Sequence, residues 1–351
     1  MEKLLILRLG SMGDVLHALP AVSALRRALP STTIGWAIEQ RWSELLCATG
    51  AENAASGSPE KPLVDRLHFI NTVAWRRGLL SSAMWNEAWI AMSALRAARY
   101  DVAVDFQGAW KSAGLAVWSG APQRMGFDHP RERPAALFYT RRVQTTSAHV
   151  VDQNLELASA VGGQKLGAAD FQLPCSARGE SWCDGELRQR GLRQFAVLSP
   201  GGGWGAKLWP PSSYGQVAAA LAREGLPSLV NFGPGEEELA RTVKHASGGS
   251  AQPLRCSLGE LIALTRRASL FIGGDSGPMH LAAALSIPVV AIFGPTDPAR
   301  NGPYGTRSIV LRHAASVTSY AHHERPDDAL RSIPASDVLD AARRLLGVAR
   351  G

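Results

Sequence analysis

Short apolar segments alternate with amphipathic ones in both halves of this chain, which predicts an α/β protein of two doubly wound parallel-sheet domains. Two further observations point the same way. A strand, glycine-rich loop and helix start recur near each end, in "LLILRLGSMGDVLHALPAVSALRRALP" (4–30) and "FIGGDSGPMHLAAALSIPVVAIFGPTDP" (271–298). The length of 351 residues suits two cores better than one. The expected architecture is therefore two such domains facing a central cleft.

The elements follow in order. "LLILRL" (4–9) is a short apolar run ended by Gly10 and reads as a buried parallel strand. The helix after it sets Leu16, Leu19, Val22, Leu25 and Leu29 on one face. "TIGWAIE" (33–39) and "DVAVDFQG" (101–108) are strands, and 79–100 is a long amphipathic helix between them. The segment 160–190 is richer in glycine and charge and is expected to join the domains, placed at 1–175 and 190–330. A second series then begins. Strands at 194–200, 227–235, 269–274 and 288–295 alternate with helices at 211–224, 257–268 and 277–286. A terminal helix at 335–350 is expected to pack back on one of the domains, with the N-terminal domain as its expected partner.

Composition narrows the function classes. A 46% hydrophobic and 19% charged chain is globular rather than disordered. No apolar run reaches the ~20 residues that span a bilayer. The chain opens on a strand-like "KLLILRL" without a signal-type cleavage site, so a cytoplasmic location is expected. The four cysteines form no CxxC pair and no Cys/His cluster, so free thiols and no metal site are expected. A net charge of +7 favours an anionic partner. Without a Lys/Arg run or a nucleic-acid signature, that partner is expected to be a phosphorylated small molecule or an anionic membrane surface rather than nucleic acid.

Polar and glycine residues gather at the predicted carboxyl ends of strands, where open parallel sheets bind ligands. Ser11 and Asp14 follow the first strand; "GSMGD" is not GxGxxG, and Glu39 only loosely matches a ribose-binding acid, which argues against a nicotinamide enzyme. Asp14 reads either as a helix-capping carboxylate or as a catalytic one. "GGGWGAK" (201–207) lets backbone approach a ligand at Gly202 and Gly203 and supplies Lys207 as a point charge for phosphate. Glu236 in "GPGEEE" either steadies a helix start or binds a ribose. "GGDSGPMH" (273–280) aims helix N–H groups from Ser276 and Gly277 outward, flanked by Asp275 and His280, as a diphosphate requires. Gln107, Arg131 and Arg133, with Arg76 and Arg77, are the polar groups of the N-terminal half, and arginine forks match acidic acceptors.

Seven segments, "SMGDVLHALPAV" (11–22), "VDFQGAWKSA" (104–113), "RERPAALFY" (131–139), "KLWP" (207–210), "FGPGEEE" (232–238), "GGDSGPMHLAAAL" (273–285) and "FGPTDP" (293–298), together resemble the ADP-heptose:lipopolysaccharide heptosyltransferases, family 9 of the glycosyltransferases. Within that family the likeness is greatest to members that add the first heptose to the Kdo residues of the inner core. The resemblance implies a GT-B fold of two Rossmann-like domains, the N-terminal one for acceptor and the C-terminal one for nucleotide sugar. It implies an inverting transfer from ADP-heptose to a Kdo-lipid A type acceptor, with no metal required, beside or peripherally on the inner membrane. It makes Asp14 the general base and Lys207 the phosphate ligand that stabilises the departing ADP. Asp275, Ser276, Gly277 and His280 would hold the diphosphate and heptose, and Glu236 the ribose. Ser11, Gln107 and Arg131 would line the acceptor site. Where those relatives carry hydroxyl residues ahead of the lysine, this chain has Gly202 and Gly203, so backbone N–H groups would replace side-chain donors there. Alternatives are an ADP-heptose-dependent enzyme acting on a protein or other acceptor, and a GT-B transferase of another sugar.

Overall fold

A computed structural model of the chain describes residues 1–72, 75, 81–167, 170–319 and 328–347; Arg76, Arg77 and the ends of the expected 79–100 and 335–350 helices lie outside the described residues. The chain divides into two units, Met1–Ser176 and Ala177–Gly351.

The first unit begins with β1 (Lys3–Leu7), α1 (Met12–Ala28), β2 (Thr33–Ile38) and β3 (Arg66–Phe69). It continues through α2 (Ser82–Ala97), β4 (Val102–Asp105), α3 (Trp110–Trp118), β5 (Gln123–Phe127), β6 (Arg141–Val143) and α4 (Val150–Gly162). A short 3-10 turn spans Arg133–Phe138. The sheet order is β3-β2-β1-β4-β5-β6, parallel throughout. Leu4 to Leu7 of β1 are completely buried, as expected of a central strand covered on both faces. α1 departs from its expected single apolar face. Its residues from Met12 to Leu25 are buried almost without a break, Asp14 apart, because α4 packs along it in addition to the sheet, with Asn154 Nδ2 donating to His17 O at 2.9 Å.

The second unit comprises α5 (Ala177–Arg190), β7 (Ala196–Ser199), α6 (Pro211–Arg223), β8 (Ser228–Asn231), α7 (Glu237–Ala246) and β9 (Ala251–Leu254). There follow α8 (Leu258–Arg266), β10 (Leu270–Gly274), α9 (Gly277–Ala284), β11 (Val289–Phe293), α10 (Pro298–Asn301), β12 (Ser308–Arg312), α11 (Asp328–Arg331) and α12 (Ala335–Leu346). Its parallel sheet runs β12-β11-β10-β7-β8-β9. Each unit thus repeats one winding, with strand order reversing beside its first strand, β1 next to β4 and β7 next to β10. Such a reversal opens a crevice at the strands' carboxyl ends.

Two expectations are corrected. Much of the 160–190 segment is α5, which joins the core of the second unit through Cys183, with Trp182 and Leu187 against Ala263 and Leu264. Its Glu180 pairs with Arg266 at 2.6 Å and Arg267 at 2.5 Å. The terminal helix α12, expected on the N-terminal domain, belongs to the second unit: Val338, Ala341, Ala342 and Leu345 enter that unit's core beside Val217 and Leu221 of α6.

Helix packing in this unit is tight at Gly215 of α6, where an added Cβ would lie 2.5 Å from Ala246 Cβ and 2.8 Å from Val243 O. Gly215→Ala should therefore cost about 1–2 kcal/mol, overpacking outweighing a helix-propensity gain of about 1 kcal/mol. The urea midpoint should fall at unchanged slope; an equal or higher midpoint would contradict this packing.

Candidate active site

In the first unit, the candidate groups meet at the carboxyl ends of β1 and β4. Arg8 follows β1 and is buried. Its Nη2 pairs with Asp14 Oδ1 at 2.5 Å, its Nη1 donates to Phe106 O at 2.5 Å, and its Nε donates to Asp14 O at 3.2 Å. Ser11 caps α1, and its N–H and Oγ–H donate to Asp14 Oδ2 at 3.0 and 3.2 Å. Asp14 thus does the work of a helix-start carboxylate, reaching back to the capping residue. Its side chain nevertheless remains 29% exposed, so the carboxylate lies at the surface of this corner and is not sealed in the core. Burial alone would raise its pKa, but the Arg8 charge, the Ser11 amide, the Arg131 charge and the Ser11 hydroxyl together hold it below the ordinary carboxylate value.

The loop after β4 is tied to this corner. Gln107 Oε1 accepts the Leu9 N–H at 2.9 Å, so the Gln107 side chain anchors the β1 loop. Asp105, completely buried at the end of β4, accepts from the Gln107 and Gly108 amides at 2.9 and 3.1 Å. Ser112 Oγ at 2.8 Å and Tyr139 Oη at 2.7 Å donate to its other oxygen. Burial is the largest influence on its pKa and raises it despite these four donors. The Arg131 segment is stitched to the same loop: Glu132 N–H donates to Gly108 O at 2.9 Å, and Trp110 N–H donates to Glu132 Oε2 at 2.9 Å. Arg131 is exposed and close enough for its charge to act on Asp14. Ser11, Asp14, Gln107 and Arg131 therefore belong to one corner of the unit.

In the second unit, the corresponding groups gather at the ends of β7, β10 and β11. Lys207 closes a 3-10 turn, Gly205–Lys207. Its Nζ pairs with Asp275 Oδ2 at 2.6 Å and stands 4.4 Å from the centre of the Trp204 ring. His280 Nε2 lies 3.1 Å from Asp275 Oδ1. Burial would raise the Asp275 pKa, but His280 and then Lys207 overcome it and leave the carboxyl far below its ordinary value. Ser276 caps α9, yet its buried Oγ has no hydrogen-bond partner among the described residues. Such an atom costs stability unless something occupies it, which suits a phosphate-binding role. Gly277 opens α9 beside it, its N–H among those left free of the helix ladder.

Glu236 accepts the Gly233 N–H at 2.7 Å, and its carboxylate stands 2.2 Å from where a Cβ on Gly201 would be. A side chain at 201 would displace the Glu236 carboxylate, so glycine there lets Glu236 lie against the glycine loop. A Cβ at Gly202 would meet nothing closer than Leu208 at 3.6 Å, and one at Gly203 would meet nothing within 4 Å. The chain's own packing therefore does not demand those two glycines. Residues 293–298 adjoin the site, with Gly294 near Ala206 O, and the buried Thr296 Oγ1 also lacks a partner among the described residues. Among the described residues no group of three or more His, Cys, Asp or Glu side chains is arranged to hold a metal.

Sequence reading overlooked Arg8, Asp105, Gly201 and Thr296. The signal for Arg8 was present: one arginine inside the apolar "LLILRLG" needs a buried partner. Because the folded pKa of Asp14 lies below the unfolded value of about 3.9, its ion pair stabilises the fold above about pH 4 and is lost as pH falls through the depressed value. Arg8→Gln should raise the Asp14 pKa in a carboxyl NMR titration. An unchanged titration would remove Arg8 as the cause.

The sequence profile of glycosyltransferase family 9 (heptosyltransferase) matches residues 89–328. The chain is 28% identical over 319 residues to lipopolysaccharide heptosyltransferase 1 of Pseudomonas aeruginosa, covering 88% of this chain and 83% of that one. It is 28% identical over 316 residues to the Escherichia coli K12 enzyme of the same name, covering 88% and 93%. Among solved structures, E. coli heptosyltransferase WaaC with ADP superposes with a TM-score of 0.79 at 26% identity, over 98% of this chain and 99% of that one. A family 9 glycosyl transferase from Veillonella parvula shares the fold, with a TM-score of 0.81 at 22% identity over 99% and 98% of the two chains. Two Rossmann-like units of the GT-B class, and a profile covering well over half the sequence, establish that the chain belongs to glycosyltransferase family 9 (heptosyltransferase) and is a glycosyltransferase.

Proposed function

We propose that the chain is an inverting heptosyltransferase that moves L-glycero-D-manno-heptose from ADP-heptose to the Kdo region of the lipopolysaccharide inner core. Its setting is the cytoplasmic side of the inner membrane, with an anionic Kdo-lipid A type acceptor. The observation that carries this reading is the Lys207–Asp275–His280 group beside the orphaned Ser276 hydroxyl, in a chain similar over nearly its full length to a heptosyltransferase solved with ADP.

The chemistry follows from these groups. Asp14, held ionised by Arg8, accepts the acceptor hydroxyl's proton as the oxygen bonds to the anomeric carbon. Its low proton affinity means that proton transfer accompanies C–O bond formation instead of preceding it, and position supplies much of its effect. On the opposite face of that carbon the bond to the diphosphate breaks, and the electron pair leaves with ADP. Lys207 and the N-terminal N–H groups of α9 stabilise that charge, and Ser276 Oγ donates to a phosphate oxygen. Asp275 is itself an anion and would repel the diphosphate. Its part is to orient Lys207 and His280, which both point their nitrogens at it. Glu236 binds the ribose hydroxyls, and the open space at Gly202 and Gly203 admits the nucleotide against backbone N–H groups. Ser11, Gln107 and Arg131 line the acceptor corner, where the Arg131 fork suits a carboxylate of Kdo.

Incubating the protein with ADP-heptose and Kdo-containing lipid A should release ADP and add one heptose to the lipid by mass spectrometry; ADP release that ignores the acceptor, or none, would sink the reading. Asp14→Asn should leave donor affinity within about twofold and lower kcat roughly 10²-fold or more, and near-normal turnover would refute the base. Lys207→Ala should weaken ADP binding in calorimetric titration by about 10-fold or more, the worth of a charged hydrogen bond. Unchanged binding would remove Lys207 from the donor site.

A further inference from the structure

Large apolar side chains left in water are normally scattered singly. In the first unit they are concentrated. On α2, Trp85 and Trp89 are 61% and 63% exposed one helical turn apart, Ile90 is exposed beside them, and Leu95 is the helix's one fully buried position among the described residues. Trp110 and Val117 are exposed two turns apart on α3. The 133–138 turn adds Leu137, 79% exposed, and Phe138.

These elements are neighbours. Leu95 of α2 and Leu115 and Ala116 of α3 pack on the same sheet face as Leu5 and Leu7. Trp118 joins the two helices: its ring meets Trp89 edge-on at 6.3 Å, its Nε1–H donates to Met92 O at 2.8 Å, and Arg96 donates to its carbonyl at 3.0 Å. α3 packs onto the turn through Ala113, Ala135 and Tyr139.

Cations frame the apolar surface. Lys111 stands 5.7 Å from the centre of the Trp110 ring. Arg124 and Arg142 donate to the carbonyls of Phe138 and Ala136, and Arg133 and Arg141 are exposed. Carboxylates nearby include Glu87, which accepts from Asn71 at 3.0 Å, Glu132, which accepts the Trp110 N–H, and Asp128 beside β6. Tryptophan and aliphatic side chains within an excess of Lys and Arg make the composition that seats in the headgroup layer of an anionic bilayer.

We propose that the outer face of α2, α3 and the 133–138 turn docks the N-terminal unit on an anionic lipid surface. The inference rests on the acceptor assignment for its purpose, though not for its geometry. Gln107 lies in the loop entering α3, and Arg131 in the loop entering the turn, so the elements that meet the lipid also carry the acceptor corner. A lipid-borne acceptor would then reach Asp14 without leaving the surface.

The test is co-sedimentation of the full chain with phosphatidylglycerol-containing vesicles and with pure phosphatidylcholine vesicles. The protein should bind the anionic vesicles more tightly, and added salt should weaken binding. Combining Trp85→Ser, Trp89→Ser and Ile90→Ser should lower vesicle affinity roughly 10-fold or more, as should combining Lys111→Glu with Arg141→Glu. Both variants should keep wild-type turnover on a soluble Kdo acceptor without acyl chains, which also reports that they fold. Wild-type protein that ignores anionic vesicles, or variants that bind them undiminished, would overturn the proposal. So would a wild-type dimer in analytical ultracentrifugation that the tryptophan variant converts to a monomer without any vesicle binding, which would make the face a subunit interface. Vesicle binding that depends on these residues in a protein inactive on Kdo acceptors would uphold the docking face and count against the acceptor assignment alone.

Discussion

Charge compensation at the end of a buried strand is the constraint on which the candidate site of each unit depends. Removing a carboxylate from water costs several kcal/mol unless a cation or several hydrogen bonds meet it. Asp14 is met by Arg8 and Ser11, and Asp275 by Lys207 and His280. Each pairing keeps its carboxylate ionised, and each also fixes the direction of a functional group. In the first unit the held group is the carboxylate itself. In the second it is the lysine, whose Nζ is held between the Asp275 carboxylate and the Trp204 ring.

The same constraint is met at the same place in each winding. Strand order reverses beside β1 and again beside β7, and the loops leaving those strands and their neighbours β4 and β10 diverge there. Arg8 and Phe106 meet across the first reversal, and Lys207 and Asp275 across the second. The first unit adds a buried hydrogen-bond network around Asp105, whose four donors hold the loop of Gln107 and, through Tyr139, the end of the Arg131 segment. The second adds a close approach at Gly201 that presses Glu236 onto the glycine loop.

Much of the fold was legible along the chain. The central strands are continuous apolar runs, because both of their faces are covered, and their loops are punctuated by glycine and proline. Three of the four edge strands were not legible for want of length: "RLHF" of β3, "RRV" of β6 and "AQPL" of β9 are too short to establish a pattern and acquire strand geometry only by pairing with a neighbour. α5 escaped for a similar reason. Its local apolar pattern is weak, and what holds it is Cys183 in a distant core and ion pairs from Glu180 to Arg266 and Arg267. α1 looks amphipathic along the chain because a sequence reports apolar periodicity and not the second helix that packs against it.

The amino-acid order was enough to name the candidate chemistry. A carboxylate after the first strand, a lysine after a glycine run and a polar helix start before an apolar helix each follow from local rules of turns, dipoles and charge. Partnership was beyond those rules. That Arg8 clamps Asp14, that Asp275 pairs with Lys207 and His280, and that Gly201 makes room for Glu236 are contacts between residues remote in sequence or set by the exact path of a loop. Such contacts exist only once strands have paired and the low-dielectric interior makes every unmatched charge expensive, so folding, and not local composition, selects which groups act together.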